Sequence, residues 1–494
     1  MAAPTGISLA FGNNTLEPAP TWTRIDDTTA FPGVRVASYQ IDRGRPSETQ
    51  KTGGGTATVT LTDQHGALDP TNPTGPFTTP TQKIQPLVQA AICRWNPVDL
   101  VWDTRFRGWI ADYDYSFDPS QQVNQLTLSL VDIFEILQTI ELQPGEAGDD
   151  PTGTGAQIIY NLLPTAHDRI TQILGVDAGI PAAMYVVFSL NVNVQVTSYS
   201  PGDTALQAIQ ETVDAEFPDV ANAYTDRLGR FAVHGRYAKF NPGGVIAGPP
   251  PIDNATWDWH HWYAGDGAFV NLNPATHAQI RQFAFNRGTG YIINTATAYP
   301  GYTATGVQVT DAQIKAQLVK DTGSRTLYGI RSWSAPNLIT WTSLKDGASA
   351  LVETKRFAQY AIANYAQARN RITTLGFRPL DPTDARAGAV HRLLGRVDIS
   401  DQVDVTVASP GGGGFSAAPF FVEGLHEQVT GRLHSGVAAG GEGYDDVTLT
   451  LDVSPGPIDT TMFPPYWQPR SPQSTRATTP QVRPTRSPGS NVCT

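Results

Sequence analysis

The chain has 494 residues, of which 40% are hydrophobic and only 16% charged, and its net charge is −11. The length exceeds what one core supports and predicts three to five domains. The acidic balance argues against a surface that grips nucleic acid, although DNA could pass without being held. The longest apolar run, 182–190, is too short to span a membrane, and residues 1–11 lack the features of a secretion signal. We therefore expect a soluble protein made in the cytosol.

The first predicted domain, 1–145, is rich in strands that alternate between apolar and polar residues. The predicted strands are Gly33–Ile41, Thr56–Thr62, Ile84–Trp95, Leu100–Tyr115 and Val123–Leu130. Asp132 is predicted to cap a short helix with a broad apolar face. Five or six strands and a terminal helix indicate a small barrel or split barrel.

A mixed α/β domain is predicted at 156–241. It begins with a short helix over 156–163, and Asp203 is predicted to cap a stronger helix. On that helix Leu206, Ile209, Val213 and Phe217 form one stripe. A hairpin then joins 223–226 to 230–236.

The rest of the chain is divided by its Gly- and Pro-rich breaks. Residues 252–370 predict a β-rich domain that ends in a long helix over 346–369. Residues 371–455 predict a second β-barrel of short strands with Gly-rich loops. Residues 456–494 are rich in Pro, Ser, Thr and Arg, which is typical of a disordered or docking tail. The predicted fold class is therefore mainly β with some α, or α+β, with two small barrels flanking mixed domains.

Three separated motifs resemble the hub-type minor tail proteins of long-tailed phages that infect actinobacteria. The first combines a Gly-Arg and Glu entry (Gly44, Arg45, Glu48), a Thr-Ala-x-Val-x-Leu strand over 56–61 and a Pro-Thr-Asn-Pro loop over 70–73. The second is the Tyr-x-Asp-x-x-Gly-x-Phe pattern over 224–231. The third joins a polar turn at 395–403 to a Val-Glu-Gly strand at 422–424. Together they cover most of the chain.

This resemblance implies a structural virion protein at the distal end of the tail, synthesised in the host cytoplasm. It implies a homotrimer that closes the tail tube and carries receptor-binding or fibre proteins. The implied neighbours are the distal tail protein, the tape-measure protein and other minor tail proteins. Neither sequence-specific nucleic acid binding, membrane insertion nor a cofactor is implied. A hexameric distal tail protein is one alternative, although it normally needs fewer domains.

The other alternative is a carbohydrate-binding tail adhesin that would use an unusual aromatic cluster. The cluster contains Trp257, Trp259, His260, His261, Trp262 and Tyr263. Flat aromatic rings stack on sugars, and the histidines suggest a metal site. Adjacent histidines on a strand face opposite sides, however, so they do not readily share one ion. Aromatic packing at a domain or subunit junction is the favoured interpretation.

Arg43, Arg45 and Glu48 are candidate subunit contacts, because the arginines would pair with Glu48 or with a neighbour's acid; solvated turn residues are the alternative. His426 and Glu427 begin an HExxH-like motif, but Thr430 replaces the second histidine and the segment predicts a strand. No catalytic or metal-binding residue set is therefore predicted, and the chain is not expected to be an enzyme.

Overall fold

The fold is described from a computed structural model of the chain. The described residues are 5–27, 29–77, 83–118, 123–142, 158–160, 165–187, 194, 197–200, 202–218, 220–235, 261–265, 273, 276–300, 308–338, 350–369, 371–408, 414–432 and 445–456. Within the described residues, strands outnumber helices, and extended segments dominate both the N-terminal and the C-terminal parts. The prediction of a mainly β, α+β protein is thereby confirmed.

The N-terminal β unit consists of seven strands and one helix. They are β1 (Thr5–Ala10), β2 (Thr23–Arg24), β3 (Val34–Gly44), β4 (Gly53–Asp63), β5 (Gln89–Asn96), β6 (Val101–Asp118), β7 (Val123–Val131) and α1 (Ile133–Thr139). Each predicted strand is present, although Ile84–Trp95 begins later than expected, and β1 and β2 were not predicted. Asp132 caps α1 as predicted, because its side chain accepts the amide of Phe134 at 2.9 Å.

The next region is mixed α/β. Its elements are β8 (Ile158–Tyr160), α2 (Ala166–Gln172) with a π-helical turn after it, β9 (Tyr185–Val187), β10 (Thr197–Tyr199), α3 (Ala205–Glu216), β11 (Asn222–Thr225) and β12 (Phe231–His234). The predicted helix over 156–163 is wrong for 158–160, which pair with β10; its other residues lie outside the described part. Two isoleucines and a tyrosine favour a strand there.

The helix α3 begins one residue later than predicted. Thr204 is its N-cap and accepts the amide of Gln207 at 3.2 Å, whereas Asp203 accepts the amide of Ser200 at 2.7 Å. The predicted cap at Asp203 is therefore wrong, because its carboxylate accepts a hydrogen bond from the turn that precedes the helix. The predicted apolar stripe from Leu206 to Phe217 is buried, and the hairpin forms between β11 and β12.

A third region contains short strands and helices. They are β13 (His261–Gly265), β14 (His277–Gln279), β15 (Gln282–Asn286), β16 (Thr295–Pro300), α4 (Asp311–Ala316), β17 (Val319–Lys320), α5 (Thr322–Tyr328), β18 (Ser332–Leu338) and α6 (Ala350–Tyr365). The long helix predicted over 346–369 corresponds to α6. Strand β16 pairs with β17 and β18 in a separate small sheet.

The last region contains β19 (Arg371–Phe377), α7 (Ala387–Arg396), β20 (Gln402–Ala408), β21 (Gly414–Arg432) and β22 (Asp445–Pro455). The helix α7 was not predicted. Its last turn includes Gly395 and Arg396, which are the first two residues of the predicted polar turn. Val390, Leu393 and Leu394 are buried at helical spacing. They pack α7 into the same core as the surrounding strands, which explains why this segment is not extended.

One large sheet joins the two ends of the chain. Its order is β14-β13-β20-β21-β3-β4-β7-β6-β5-β1-β2, and β22, β19 and β15 extend it on the other side of β21. We call β13–β15 together with β19–β22 the C-terminal β unit. Residues 277–286 supply β14 at one end of this unit and β15 at the other. The amides of Ile280 and Arg281 between them donate to Gly265 O and Gly376 O, both at 2.8 Å.

The predicted boundaries of the domains stay a prediction. Strands β13–β15, from the predicted domain 252–370, pair with one another or with strands of the predicted domain 371–455. Two apolar clusters lie inside the molecule. One is shared by both β units, and the other packs α1, α2, α3 and α6 together, with the rings of Phe217 and Phe357 stacked at 4.5 Å.

Candidate assembly site

Three buried ion pairs connect the two β units. In each pair the arginine belongs to the N-terminal β unit and the acid to the segment 398–427. The pairs are Arg43–Asp398 at 2.9 Å, Arg45–Glu423 at 2.8 Å and Arg105–Glu427 at 2.7 Å. We call this region the ionic junction. Its uniform polarity makes one face of the N-terminal unit locally basic and the facing surface acidic.

The pair Arg105–Glu427 is the most deeply buried, because both side chains are fully inaccessible to solvent. Arg105 also donates to Val397 O at 3.3 Å, and the hydroxyl of Tyr39 donates to the other oxygen of Glu427. Burial raises the pKa of Tyr39 well above its ordinary value, and the Glu427 carboxylate raises it further. Tyr39 therefore stays protonated and serves as a donor to this carboxylate.

Gly44 permits the close approach of β3 to β21. Its φ of +89° lies in the region that favours glycine, and a Cβ there would overlap the carbonyl oxygen of Glu423. The next amide, that of Arg45, donates to this same carbonyl at 2.8 Å. Gly44 therefore lets β3 end in close contact with β21. The side chain of Arg45, the next residue, then reaches the carboxylate of Glu423.

The loop 45–52 then contacts three further elements. Lys51 pairs with Asp214 of α3 at 2.7 Å, and Thr52 donates to Asn222 of β11 at 2.5 Å. Glu48 is buried in the same loop. Burial raises the pKa of Tyr360 in α6 well above its ordinary value, and the nearby Glu48 carboxylate adds to that shift. The loop therefore links β21, α3, β11 and α6.

The structure places the three candidate subunit contacts inside the chain. Arg43, Arg45 and Glu48 are each no more than 4% exposed. The alternative that the arginines are solvated turn residues is therefore wrong. Their pairing with Asp398 and Glu423 is within one chain, so a direct role between subunits stays a prediction.

The three motifs that carry the sequence resemblance meet at the ionic junction. Arg45 of the first motif pairs with Glu423 of the third, and the neighbouring Arg43 donates to Asp398 of the third and to Thr225 O of the second, the latter at 3.0 Å. Asp398 also accepts the amide of Arg227 at 2.6 Å. Segments separated by more than 150 residues thus form one contact network.

Sequence reasoning did not identify Arg105, Asp398 or Glu427 as members of ion pairs. The available signal was the alternation of the strands, since Glu427 falls between Leu425 and Val429 on the buried face of β21. A charged residue at a buried position needs a partner of opposite charge. Its partner, however, is 322 residues away and is not indicated by spacing.

The aromatic cluster is only partly described. Trp257, Trp259 and His260 lie outside the described residues, and His261 begins β13. Trp262 donates its indole N–H to Asp401 at 2.9 Å and packs against the β core. Tyr263 is 38% exposed, with its ring 5.3 Å from that of His277. Trp262 therefore packs within the chain, whereas packing of the cluster at a domain or subunit junction and glycan binding both stay predictions.

The HExxH-like segment lies in β21, as predicted, with His426 and Glu427 on opposite faces. Within the described ranges, no group of three or more His, Cys, Asp or Glu side chains is arranged to hold a metal ion. Across those same ranges, no helix is both long and apolar enough to cross a membrane.

No protein-family model and no curated protein matches the chain. Solved structures similar to it include the tail protein from Neisseria meningitidis MC58, with 12% identity over 92% of this chain and 98% of that one and a TM-score of 0.48. The 43 kDa tail protein of prophage MuSo2 from Shewanella oneidensis has 11% identity over 92% and 98%, with a TM-score of 0.46. Prophage tail protein gp18 from Listeria monocytogenes EGD-e has 8% identity over 90% and 94%, with a TM-score of 0.41. Likeness at these scores fixes neither the function nor the oligomeric state of this chain.

Proposed function

We propose that the chain is a minor tail protein that forms the trimeric central hub at the distal end of a siphophage tail. The observation that carries this proposal is the convergence of the three hub-like motifs on the ionic junction. Residues that resemble one family in three separate places also contact one another, since Arg45 pairs with Glu423 and Asp398 accepts the amide of Arg227. A shared architecture accounts for this arrangement better than three unrelated coincidences.

The proposed ring has two β-barrels in each chain, one at each end. The path of residues 277–286, which pair with β13 and with β19, supports a barrel in the C-terminal β unit. Three chains with two similar barrels each would present six units and match a sixfold tail tube. Arg43, Arg45 and Glu48 would then support subunit contacts by fixing the angle between the two barrels of one chain.

The proposed partners are the distal tail protein above the hub, the tape-measure protein in its lumen, and fibre or other minor tail proteins below. The net charge of −11 is compatible with a lumen through which DNA slides without binding. The proposed tail 456–494 would dock the next tail-tip protein. Normal tip assembly after deletion of residues 456–494 would contradict this last part of the proposal.

The test is the mass and symmetry of the purified assembly, measured by native mass spectrometry and by electron microscopy. Three chains of 53.2 kDa are expected for the hub. Six chains would instead support the distal tail protein, and one chain the adhesin. Lys51→Ala serves as a control, because its ion pair with Asp214 is exposed and its loss should leave the mass unchanged.

The adhesin alternative makes a separate prediction about the aromatic cluster. Glycan binding by the purified chain that is lost in Trp259→Ala or Tyr263→Ala, but kept in Trp22→Ala, would favour it. Tyr263 is the informative position among the described residues, because its ring is partly exposed on β13. The hub proposal expects no specific glycan binding in any of these proteins.

A further inference from the structure

His426 lies at the point where the two β units meet. Residues 424–430 of β21 pair with β3 along one edge of the strand, and residues 420–432 pair with β22 along the other. In the described sheet, the N-terminal strands reach the C-terminal strands through the pairing of β3 with β21. The side chain of His426 stands over this seam, about half exposed to solvent.

Both ring nitrogens of His426 face a carboxylate. Nδ1 is 2.7 Å from Asp42 Oδ1 on β3, and Nε2 is 2.9 Å from Asp452 Oδ2 on β22. An ionised carboxylate only accepts hydrogen bonds, so each nitrogen must carry a hydrogen to satisfy both contacts. The geometry therefore requires an imidazolium, because a neutral ring has one N–H and would direct a lone pair at the other carboxylate.

The charged side chains around His426 are all acidic. Around it, the side chains at paired or neighbouring positions on the same face are Gln40 and Asp42 on β3, Thr56 on β4, Thr450 and Asp452 on β22, Thr374 on β19 and Gln428 on β21. The two aspartates are the charged groups of this set. The imidazolium is thus the counter-charge that lets two carboxylates lie across three adjacent strands.

We propose that His426 is a proton-dependent clamp that ties β3 and β22 to β21, and that loss of its proton loosens the seam between the two β units. The clamp lies on the outer face of β21, directly opposite the Arg105–Glu427 pair on the inner face. The two faces of one strand therefore hold the same seam by independent ionic contacts. This inference does not rest on the proposed function.

The direction of the pH dependence follows from the contacts. The hydrogen bond with Asp452, and then that with Asp42, raise the pKa of His426 to about 9, although burial opposes the shift. Because the folded-state pKa is raised above the ordinary 6.5, the stabilisation is fully present below pH 6.5 and is lost as the pH rises through 9. At pH 7.5 the charged ring would outnumber the neutral ring by about 30-fold.

The direct test is an NMR titration of the full chain labelled in its histidine rings. The chain has nine histidines, and the signal lost in His426→Gln identifies the one in question. A titration midpoint near pH 9 is expected. Asp42→Asn should lower that midpoint, because one acceptor of the charged ring becomes neutral. A midpoint at or below pH 7 in the wild type overturns the proposal.

A second measurement separates the charged clamp from a merely structural role. The melting temperature of the wild type should fall more between pH 7 and pH 10 than that of His426→Gln, which has no titrating ring. His277→Gln is the matched control, since that ring contacts the Thr276 hydroxyl and the ring of Tyr263 rather than carboxylates; it should keep the wild-type dependence. Equal falls in the wild type and His426→Gln would contradict the clamp. If His426→Gln does not fold, the response of the NMR midpoint to Asp42→Asn decides.

Discussion

The strongest prediction concerns Glu427 in the ionic junction, which we would replace by glutamine. Glu427→Gln preserves shape and can still accept the hydroxyl of Tyr39. In that orientation its NH₂ group faces Arg105, whereas in the flipped orientation a neutral oxygen faces Arg105 and the NH₂ group faces Tyr39. Among the described residues, the guanidinium of Arg105 in the first orientation keeps only its hydrogen bond to Val397 O, at 3.3 Å. A fully buried positive charge would then lose its directly paired counter-charge.

The expected cost is about 3–5 kcal/mol, the range found when one partner of a buried ion pair is removed. The Asp214→Asn control breaks an ion pair whose side chains are 62% and 38% exposed, and it should cost at most about 1 kcal/mol. Replacing both buried partners, in Arg105→Met with Glu427→Met, removes the uncompensated charge. The double variant should therefore lose less stability than the Glu427→Gln single variant.

The assay is urea unfolding followed by tryptophan fluorescence, which the ten tryptophans of the chain make sensitive. With a slope of about 3 kcal/mol per molar urea, the expected loss lowers the midpoint by about 1–1.7 M. Because a chain of this size can unfold in steps, the first transition is compared between variants. A loss below about 1 kcal/mol in Glu427→Gln, or a double variant at least as unstable as Glu427→Gln, would refute the argument.

Three further substitutions and one pH effect test other parts of the fold. Gly395→Ala should cost about 1–3 kcal/mol in urea unfolding, because a Cβ there overlaps the carboxylate of Asp103; an unchanged midpoint would contradict this. Leu100→Gly should raise stability by up to about 1 kcal/mol, since Leu100 has a φ of +55° and is 68% exposed. Thr204→Ala should lower it by about 1 kcal/mol through loss of the α3 cap, with reduced helical circular dichroism. Burial raises the pKa of Asp132 to about 6, against hydrogen bonds that lower it. Its ionisation therefore destabilises the fold above pH 6, and unfolding free energies of Asp132→Asn should lack the corresponding gain as the pH falls toward 4.

Much of the local structure could be predicted from sequence. Alternation of apolar and polar residues identifies β3, β4, β6 and β7, because each has one buried and one wetter face. The cap at Asp132 and the stripe of α3 follow from residue type and helical spacing. These features depend on contacts between residues close in the chain.

The helix α7 and the ionic junction could not be predicted in the same way. The core-facing residues of α7 have helical spacing, but the polar sequence that follows Gly395 matched a turn before a strand. Arg43 and Arg105 lie in strands, and the acids that pair with their side chains are 355 and 322 residues away. Register between such distant segments is decided by tertiary packing, and a sequence pattern does not contain it.

The arrangement of charge at the junction has a consequence for assembly. A buried ion pair contributes little net stability compared with apolar packing, but it tolerates little error in distance or direction. Arg43, Arg45 and Arg105 all face acids of the C-terminal segment, whereas Asp99 and Asp103 face Arg392 and Arg396 of α7 in the opposite sense. A rotation of one β unit against the other would bring several of these pairs out of contact together. We infer that the charges select one relative placement of the two units, and in the ring proposed above that angle would decide whether the ring closes.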